Sequence, residues 1–578
     1  MRELFKYLKD YKKECILSPA FKALEAGFEL LVPLVIARMI DKGIPDQDGS
    51  FIIRCGFFLA ILAFVGFACA ILAQYFAAKA AVGLSTNLRH DLFSKLMHLS
   101  FSKIDEVGSS TMITRLTSDV NSVQAGVNMI LRLFLRSPYI VIGATIMAFL
   151  IDTRSALLFV LLIFVLALIV AVLAYSNISL LLIAQQKLDK ITEAIRENLS
   201  GTRVIRAFCR QEEQTGSFQD KNHALFLAQK KAGVRTALLN PITYIVINLF
   251  IVQLIRIGAI QVGNGTLTAG SVVALYNYMS QILLELVKFA NLLITVNKAF
   301  SGWKRITDIL HMKETGTVTE EAVPDPAADL IVFDHVSLKY HEDADEVLSD
   351  IDLVIKEGET VGIIGGTGAG KTSLAHLIAG FYRPTAGQVR ILGRETKEYK
   401  PEQLTDMIGI AMQKPVLFQG TIADNLKWGR EEAKDPELME AVRMACCENV
   451  LEEHGGLQAV VNQGGRNYSG GQRQRLCIAR ALVKKPKVLI LDDSFSALDY
   501  MTDRKLRSNL STLSERPTII MISQRTVSIQ DCDHIIVLDD GRMVGHGTHE
   551  ELLQTCDVYA EIYRSQGSMS ETEGGVAS

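Results

Sequence analysis

Residues Gly365–Thr372 read GGTGAGKT, and the residues just before them, Thr360–Ile364 (TVGII), read as a strand. A helix is expected directly after, over Ser373–Ala379. The pattern G-x-x-x-x-G-K-[ST] between a strand and a helix is a phosphate cradle. Gly365, Gly366, Gly368 and Gly370, with Thr367 and Ala369 between them, let successive backbone N–H groups curl around an anion. The helix entered at Ser373 turns its positive end toward the same point. Lys371 adds a full charge for the outer phosphates, and the Thr372 hydroxyl suits Mg²⁺. A glycine-rich turn without a ligand is the bland alternative, and the strand–loop–helix context argues against it.

Short β-like runs continue around this loop, at Leu330–Phe333, Gln388–Ile391, Val488–Leu491, Thr518–Ile522 and His534–Leu538, with helical patterns between them. That alternation predicts an α/β domain over 330–565. Val488–Leu491 ends in Asp492-Asp493, and a carboxylate at a strand end beside a phosphate loop can hold Mg²⁺. Tyr468–Gln472 reads YSGGQ and runs into RQRLCIARAL, so Ser469, Gly470 and Gly471 open a second helix as a second anion cradle. Two cradles in one chain mean either two nucleotides or one nucleotide shared between two chains.

Upstream the texture changes. The 578 residues are 49% apolar before glycine is counted and only 21% charged, and mean hydropathy is +0.23, which argues against a wholly soluble chain and against a disordered one. With 60 basic and 63 acidic residues there is no global field for nucleic acid, and none is expected as a partner. The nine cysteines form no CxxC pair and read as free or buried thiols. The charged start MRELFKYLKDYKKE is a poor signal peptide. Charge-free runs such as Phe57–Ala78, Ser155–Gln186 and Thr236–Ile255 are long enough to cross a bilayer. We expect six spans within 1–310, at about 16–40, 54–79, 132–151, 156–182, 237–260 and 271–295. A linker over 311–329 and a disordered tail over 566–578 complete the organisation. Short loops alternate with long basic helical stretches near 80–130 and 183–235. The positive-inside rule then puts both termini and both long connections in the cytoplasm. Within the spans, Lys22, Glu25 and Glu29, and again Gln281, Glu285 and Lys288, lie at helical spacing, while Asn240, Asn248, Gln253 and Arg256 dot the fifth. Intramembrane ionisable groups are either functional or paired, and Glu29 and Glu285 are the candidates for lining a translocation path.

These features together resemble an ABC half-transporter of the exporter type (the type IV fold of the multidrug, lipid and peptide exporters) over nearly the whole chain. The resemblance implies a six-helix membrane domain with long cytoplasmic extensions, followed by an α/β ATP-binding domain that uses ATP and Mg²⁺. It implies that Tyr340 stacks on adenine, that Gln413 in AMQKPVLFQ touches Mg²⁺ together with Thr372 and Asp492, and that Ser469, Gly470, Gly471 and Gln472 are the signature acting on a partner's nucleotide. Ser496–Asp499 matches the segment at the dimer seam, and the stretches around 110–118 and 206–214 match the helices that contact the ATP-binding domains. Three positions depart from the family. Asp493 stands where a glutamate serves as general base, Gln524 where a histidine senses the γ-phosphate, and Gln463 where a glutamate precedes the signature. A base must come within about 2.6–3.2 Å of the proton it takes, so losing a methylene matters. Glutamine keeps hydrogen bonding but carries no charge. The expectation is the degenerate-site subunit of a heterodimeric exporter in the cell membrane, which the resemblance places in a bacterial inner membrane. An ATP-binding regulatory or channel-like protein and an importer on the same fold remain the alternatives.

Overall fold

The computed structural model describes residues 2–312, 321–341, 344–513 and 516–573. The chain divides into two compact units, one of Met1–Met97 with Ser109–Met312, the other of His98–Gly108 with Lys313–Ser578.

The first unit is helical: α1 (Arg2–Leu8), α2 (Lys12–Arg38) and α3 (Gly49–Met97) precede the break. Inside the break lies α4 (Phe101–Val107), and α5 (Ser109–Thr114), α6 (Val120–Leu133), α7 (Arg136–Ile151), α8 (Thr153–Ser200), α9 (Thr202–Ala207), α10 (Gln211–Gly263) and α11 (Ala269–Leu310) follow it. With 49 residues α3 is about 70 Å long at 1.5 Å per residue, more than twice a bilayer core. Among the described residues, five helical stretches are long and apolar enough to cross a membrane: α3, Ser109–Ile151, α8, α10 and α11. The expected first span is also a helix, the 27-residue α2, and only its charges set it apart. Phe57, Phe64, Leu150 and Phe164 are each about 70% exposed, an outer surface suited to lipid rather than water. Leu30, Ala144, Phe159, Leu162, Leu254, Leu275 and Met279 form the inner core, where the buried Tyr278 hydroxyl donates to the Leu30 carbonyl at 2.6 Å.

The intramembrane charges condense into one network. Arg136, 7% exposed, donates to Glu285 at 2.6 Å and to both Glu29 oxygens at 2.8 Å. Ser137 and Lys288 each donate to Glu285 at 2.8 Å, and Lys22 donates to Glu25 at 2.5 Å. Glu285 is 3% exposed and fully engaged, so it ties α11 to α7 instead of lining a path. The expectation for Glu285 is therefore corrected. Two carboxylates brought from distant helices are what make burial of Arg136 tolerable.

In the second unit the strands are β1 (Ile331–Leu338), β2 (Leu348–Ile355), β3 (Thr360–Gly365), β4 (Ala386–Ile391), β5 (Arg394–Glu395), β6 (Ile408–Ala411), β7 (Gly420–Thr421), β8 (Val460–Val461), β9 (Val488–Asp492), β10 (Thr518–Ile522), β11 (His534–Asp539) and β12 (Arg542–Gly547). The helices are α12 (Lys371–Ile378), α13 (Pro401–Met407), α14 (Ile422–Lys427), α15 (Asp435–Met444), α16 (Glu448–His454), α17 (Gly470–Val483), α18 (Tyr500–Ser511), α19 (Thr526–Ile529), α20 (His549–Thr555) and α21 (Asp557–Glu573). A six-stranded sheet runs β12-β11-β3-β10-β9-β6, parallel except for β12, and a four-stranded antiparallel sheet runs β2-β1-β4-β5. β9 and β10 are buried along their whole length, as near-continuous apolar runs in a covered parallel sheet should be.

Three boundaries differ from the sequence reading. Residues 98–108 belong with the nucleotide unit: the Phe101 ring stacks on Phe381 with centroids 4.4 Å apart, and the Tyr382 hydroxyl donates to Asp105. The neighbouring 110–118 stretch, expected to make that contact, has no aromatic side chain to stack and belongs to the membrane unit. Part of the expected linker is docked, since Ala322 N–H donates to Gln403 at 3.2 Å and Asp325 N–H to the Leu392 carbonyl at 2.9 Å; residues 313–320 lie outside the described residues. Finally, α21 continues to Glu573 through the stretch expected to be disordered, propagating from the turn anchored by buried Tyr559 and Ala560. Residues 574–578 lie outside the described residues. All nine cysteines are free thiols, as their spacing indicated.

Candidate nucleotide-binding site

β3, β9 and β10 end at the same edge of the large sheet, where open α/β sheets bind their ligands. The loop after β3 is Gly366–Gly370, β9 ends in Asp492, and Ser523-Gln524 follow β10. Together with Gln413, beyond β6, and with Val347 they enclose a cavity of about 210 Å³. Thr367, Gly368, Ala369, Gly370, Lys371, Thr372 and Ser373 form its floor, and Asp492, Asp493 and Gln524 face them. Gly370 has φ +95°, and a side chain there would meet Leu348 at 2.6 Å, so the loop requires glycine at this point.

Lys371 is 8% exposed, and its ammonium donates to the carbonyls of Gly365 at 2.9 Å and Gly366 at 2.6 Å. Burial pushes its pKa below the ordinary lysine value, and Asp493 and Asp492 pull it partly back. Asp492, 2% exposed, accepts from the Thr372 hydroxyl at 3.2 Å. Its carboxyl is pushed up, chiefly by burial and further by Asp493, against the opposing pull of Thr372 and Lys371. A hydroxyl, a buried carboxylate and the amide of Gln413 are hard oxygen donors of the kind Mg²⁺ takes alongside phosphate oxygens. The residues present therefore fit the ion.

The two unusual positions are in the same cavity. Asp493 has φ +45°, and its N–H donates to the Ile522 carbonyl at 2.9 Å, which ties the end of β9 to β10. Gln413 donates to the Asp493 carboxylate at 3.4 Å. The backbone of Gln524 is held from behind, its carbonyl accepting from Gln566 at 2.7 Å, and its side chain is exposed. Tyr340 is not part of the cavity lining. Its hydroxyl shares a 2.8 Å hydrogen bond with Ser373, and its ring meets Tyr382 edge-on at 4.9 Å. Val347, Ser523 and Tyr382 escaped the sequence reading; only Ser523, beside Gln524 in MISQR, carried any local signal.

The second cradle is elsewhere. Ser469 caps α17: its hydroxyl accepts from Gln472 N–H at 3.3 Å while its own N–H donates to the Gln472 side chain at 2.8 Å. Ser469 and Gly470 are exposed, and none of Ser469, Gly470, Gly471 or Gln472 lines the phosphate cavity. Gly471 lies against Ala497, where an added Cβ would come within 2.9 Å of the carbonyl oxygen. Asp499, in the adjacent Ser496–Asp499 stretch, caps α18 by accepting from Thr502 N–H at 2.9 Å. Gln463 sits in an exposed 3₁₀ turn before the signature.

Comparison with known proteins agrees with this geometry. Residues 15–286 match the family model described as the ABC transporter transmembrane region, and residues 348–496 match that described as ABC transporter. An ABC transporter ATP-binding protein of Mycobacterium tuberculosis is 35% identical over 582 residues, covering 99% of both chains. The ABC transporter ATP-binding protein YfiB of Bacillus subtilis is 33% identical over 98% of both. The ATP-dependent lipid A-core flippase of Chromobacterium violaceum is 28% identical, over 99% of this chain and 98% of its own. A solved structure of a bacterial Atm1-family ABC exporter with ATP bound superposes with a TM-score of 0.80 at 21% identity, covering 96% of this chain and 98% of that one. A membrane-spanning helical unit joined to a phosphate-binding α/β unit, matched along almost its whole length by such relatives, makes this chain a member of the ABC transporter family with an exporter-type fold.

Proposed function

We propose that this chain is one half of a heterodimeric ATP-driven exporter whose own site binds Mg-ATP but hydrolyses it slowly. The observation that carries this reading is that Asp493 and Gln524 line the same cavity as Lys371, Thr372 and Asp492. Both departures thus fall on one reaction centre. Lys371 and the loop N–H groups would hold the phosphates; Thr372, Asp492 and Gln413 would hold the ion, which when bound would neutralise phosphate charge. Asp493, one methylene short, orients an attacking water poorly, and Gln524 hydrogen-bonds the γ-phosphate without adding charge. Ser469–Gln472, exposed and outside this cavity, acts on nucleotide held by a partner half-transporter that supplies the missing glutamate and histidine. Closing two such units around ATP drives alternating access for an amphipathic small molecule, lipid or peptide. On this reading both termini face the cytoplasm and the protein resides in the cell membrane.

The test is ATP hydrolysis by the chain purified alone and then with its partner half-transporter. Slow turnover alone and fast turnover in the pair is expected. Brisk hydrolysis by the chain alone, abolished by Asp493→Asn, would overturn the heterodimer reading.

A further inference from the structure

The membrane unit holds a charge imbalance that the nucleotide chemistry does not use. Around Arg136 the described residues bring together four cations, Lys22, Arg132, Arg136 and Lys288, and three carboxylates, Glu25, Glu29 and Glu285. Lys22 pairs with Glu25, Arg136 with Glu29 and Glu285, and Lys288 with Glu285. Arg132 pairs with none of them, and its Nε is buried without a hydrogen-bond partner. Subtracting three from four leaves one positive charge, at Arg132, in a helical stretch apolar enough to cross a membrane.

Arg132 is in the last turn of α6 and lines a cleft of about 410 Å³ between α2, α3 and α6. Lys22, Gln74 and Tyr75 supply the other polar atoms, and Phe67 and Ile71 form an apolar wall. The wall leads into an adjoining cavity of about 240 Å³, which shares Phe67 and Ala70 and is lined further in by Phe28, Val32 and Leu62 and, on its α2 side, by Glu25 and Glu29, whose charges are already paired with Lys22 and Arg136. Lys22 lies in the first half of α2, under two turns into the expected span, Tyr75 near the end of the apolar part of α3, and Arg132 at the start of the next span, all toward one end of the bilayer-crossing segments. On α3 the residues Ile71 and Phe67 then climb one turn at a time toward the middle of the span.

We infer that this cleft binds a singly anionic amphiphile, with a phosphate or carboxylate head at Arg132 and Lys22 and an apolar tail along Ile71 and Phe67. The guanidinium fork matches either acid bidentately, and a neighbouring ammonium adds a point charge. An anion completes the pairing that the protein leaves open, whereas a cationic amphiphile would meet the unpaired Arg132 guanidinium. A small free phosphate would leave the apolar wall unused. The inference concerns binding alone and stands whether or not the bound molecule is cargo.

The test uses the purified full chain in zwitterionic detergent, without nucleotide, titrated with dansyl-labelled phosphatidylglycerol. Saturable binding is expected, weakened about tenfold or more in Arg132→Gln, as for loss of a charged hydrogen bond, and largely kept in Arg132→Lys. Gln74→Glu, at an exposed position, should weaken it similarly by offering Arg132 an internal carboxylate. This second variant decides the matter if Arg132→Gln fails to fold. Dansyl-phosphatidylcholine with the same tails should bind more weakly, and glycerol phosphate should not compete. Equal affinity for the two lipids, full competition by glycerol phosphate, or unchanged binding in folded Arg132→Gln or Gln74→Glu would each overturn the proposal. Since no ATP is present, failure of the export reading would leave these outcomes unaffected.

Discussion

The chain carries two anion cradles built from the same parts, a glycine turn and a helix N-terminus, and they differ in what surrounds them. The Gly365–Thr372 loop is enclosed, with buried Lys371 and Asp492 beside it. The Ser469–Gln472 turn stands at the surface and shares no cavity with it. The enclosed cradle is the one whose catalytic surroundings depart from the family, at Asp493 and Gln524; the exposed one keeps its motif intact. A cradle at the surface is open to another molecule, and on the proposed reading this chain's catalytic value lies in what it presents there to a partner chain.

Breaking the exposed cradle should have the largest effect. In the assembled pair, Ser469→Ala should lower ATP turnover by about 10²–10³, the loss typical of one transition-state donor. Ser469 also caps α17, a contribution of about 1 kcal/mol. Ser469→Asn, which keeps a capping group, separates the two: restored turnover there would mean that only helix stability had been lost. Breaking the enclosed cradle comes next. Lys371→Ala should reduce photolabelling of this chain by an ATP analogue about tenfold, the value of a charge-assisted phosphate contact. Undiminished labelling would remove the assignment of the site.

Smaller effects sharpen the contrast. Asp493→Glu returns the missing methylene and should raise hydrolysis at this chain's own site, by about tenfold at most while Gln524 remains. No increase would move the defect away from the base. The last effect is on stability. Because burial raises the Asp492 pKa in the folded chain, the folded state holds that proton more tightly than the unfolded state. The associated stability is complete below the ordinary aspartate range and is lost as pH rises through the raised value. Asp492→Asn removes that loss, so at neutral pH and without nucleotide its thermal midpoint should rise slightly while Mg²⁺-dependent nucleotide binding disappears. A lower midpoint would show that the attraction of Lys371 for the Asp492 charge outweighs the burial penalty.

The sequence by itself determined the phosphate loop, the signature, the two departures and the spans, because each is written in contiguous residues. Glycine spacing, charge-free runs of bilayer length and apolar strands ending in acids need no knowledge of the rest of the chain. It missed β6, a four-residue edge strand, and also β2 and β12, where Asp350, Asp352 and His546 break up the apolar pattern on edge strands. Only the tertiary structure decided that Asp493 and Gln524, from different strands, share one cavity with Lys371. It alone placed Phe101 on Phe381 and moved residues 98–108 into the nucleotide unit. It also supplied Arg136, which no local pattern singles out, as the ion that draws Glu29 and Glu285 together across more than a hundred residues, and it left Arg132 without a carboxylate. Charges buried far from water must be neutralised by whatever the fold brings near, and which groups those are depends on helix packing, a property that no stretch of sequence contains.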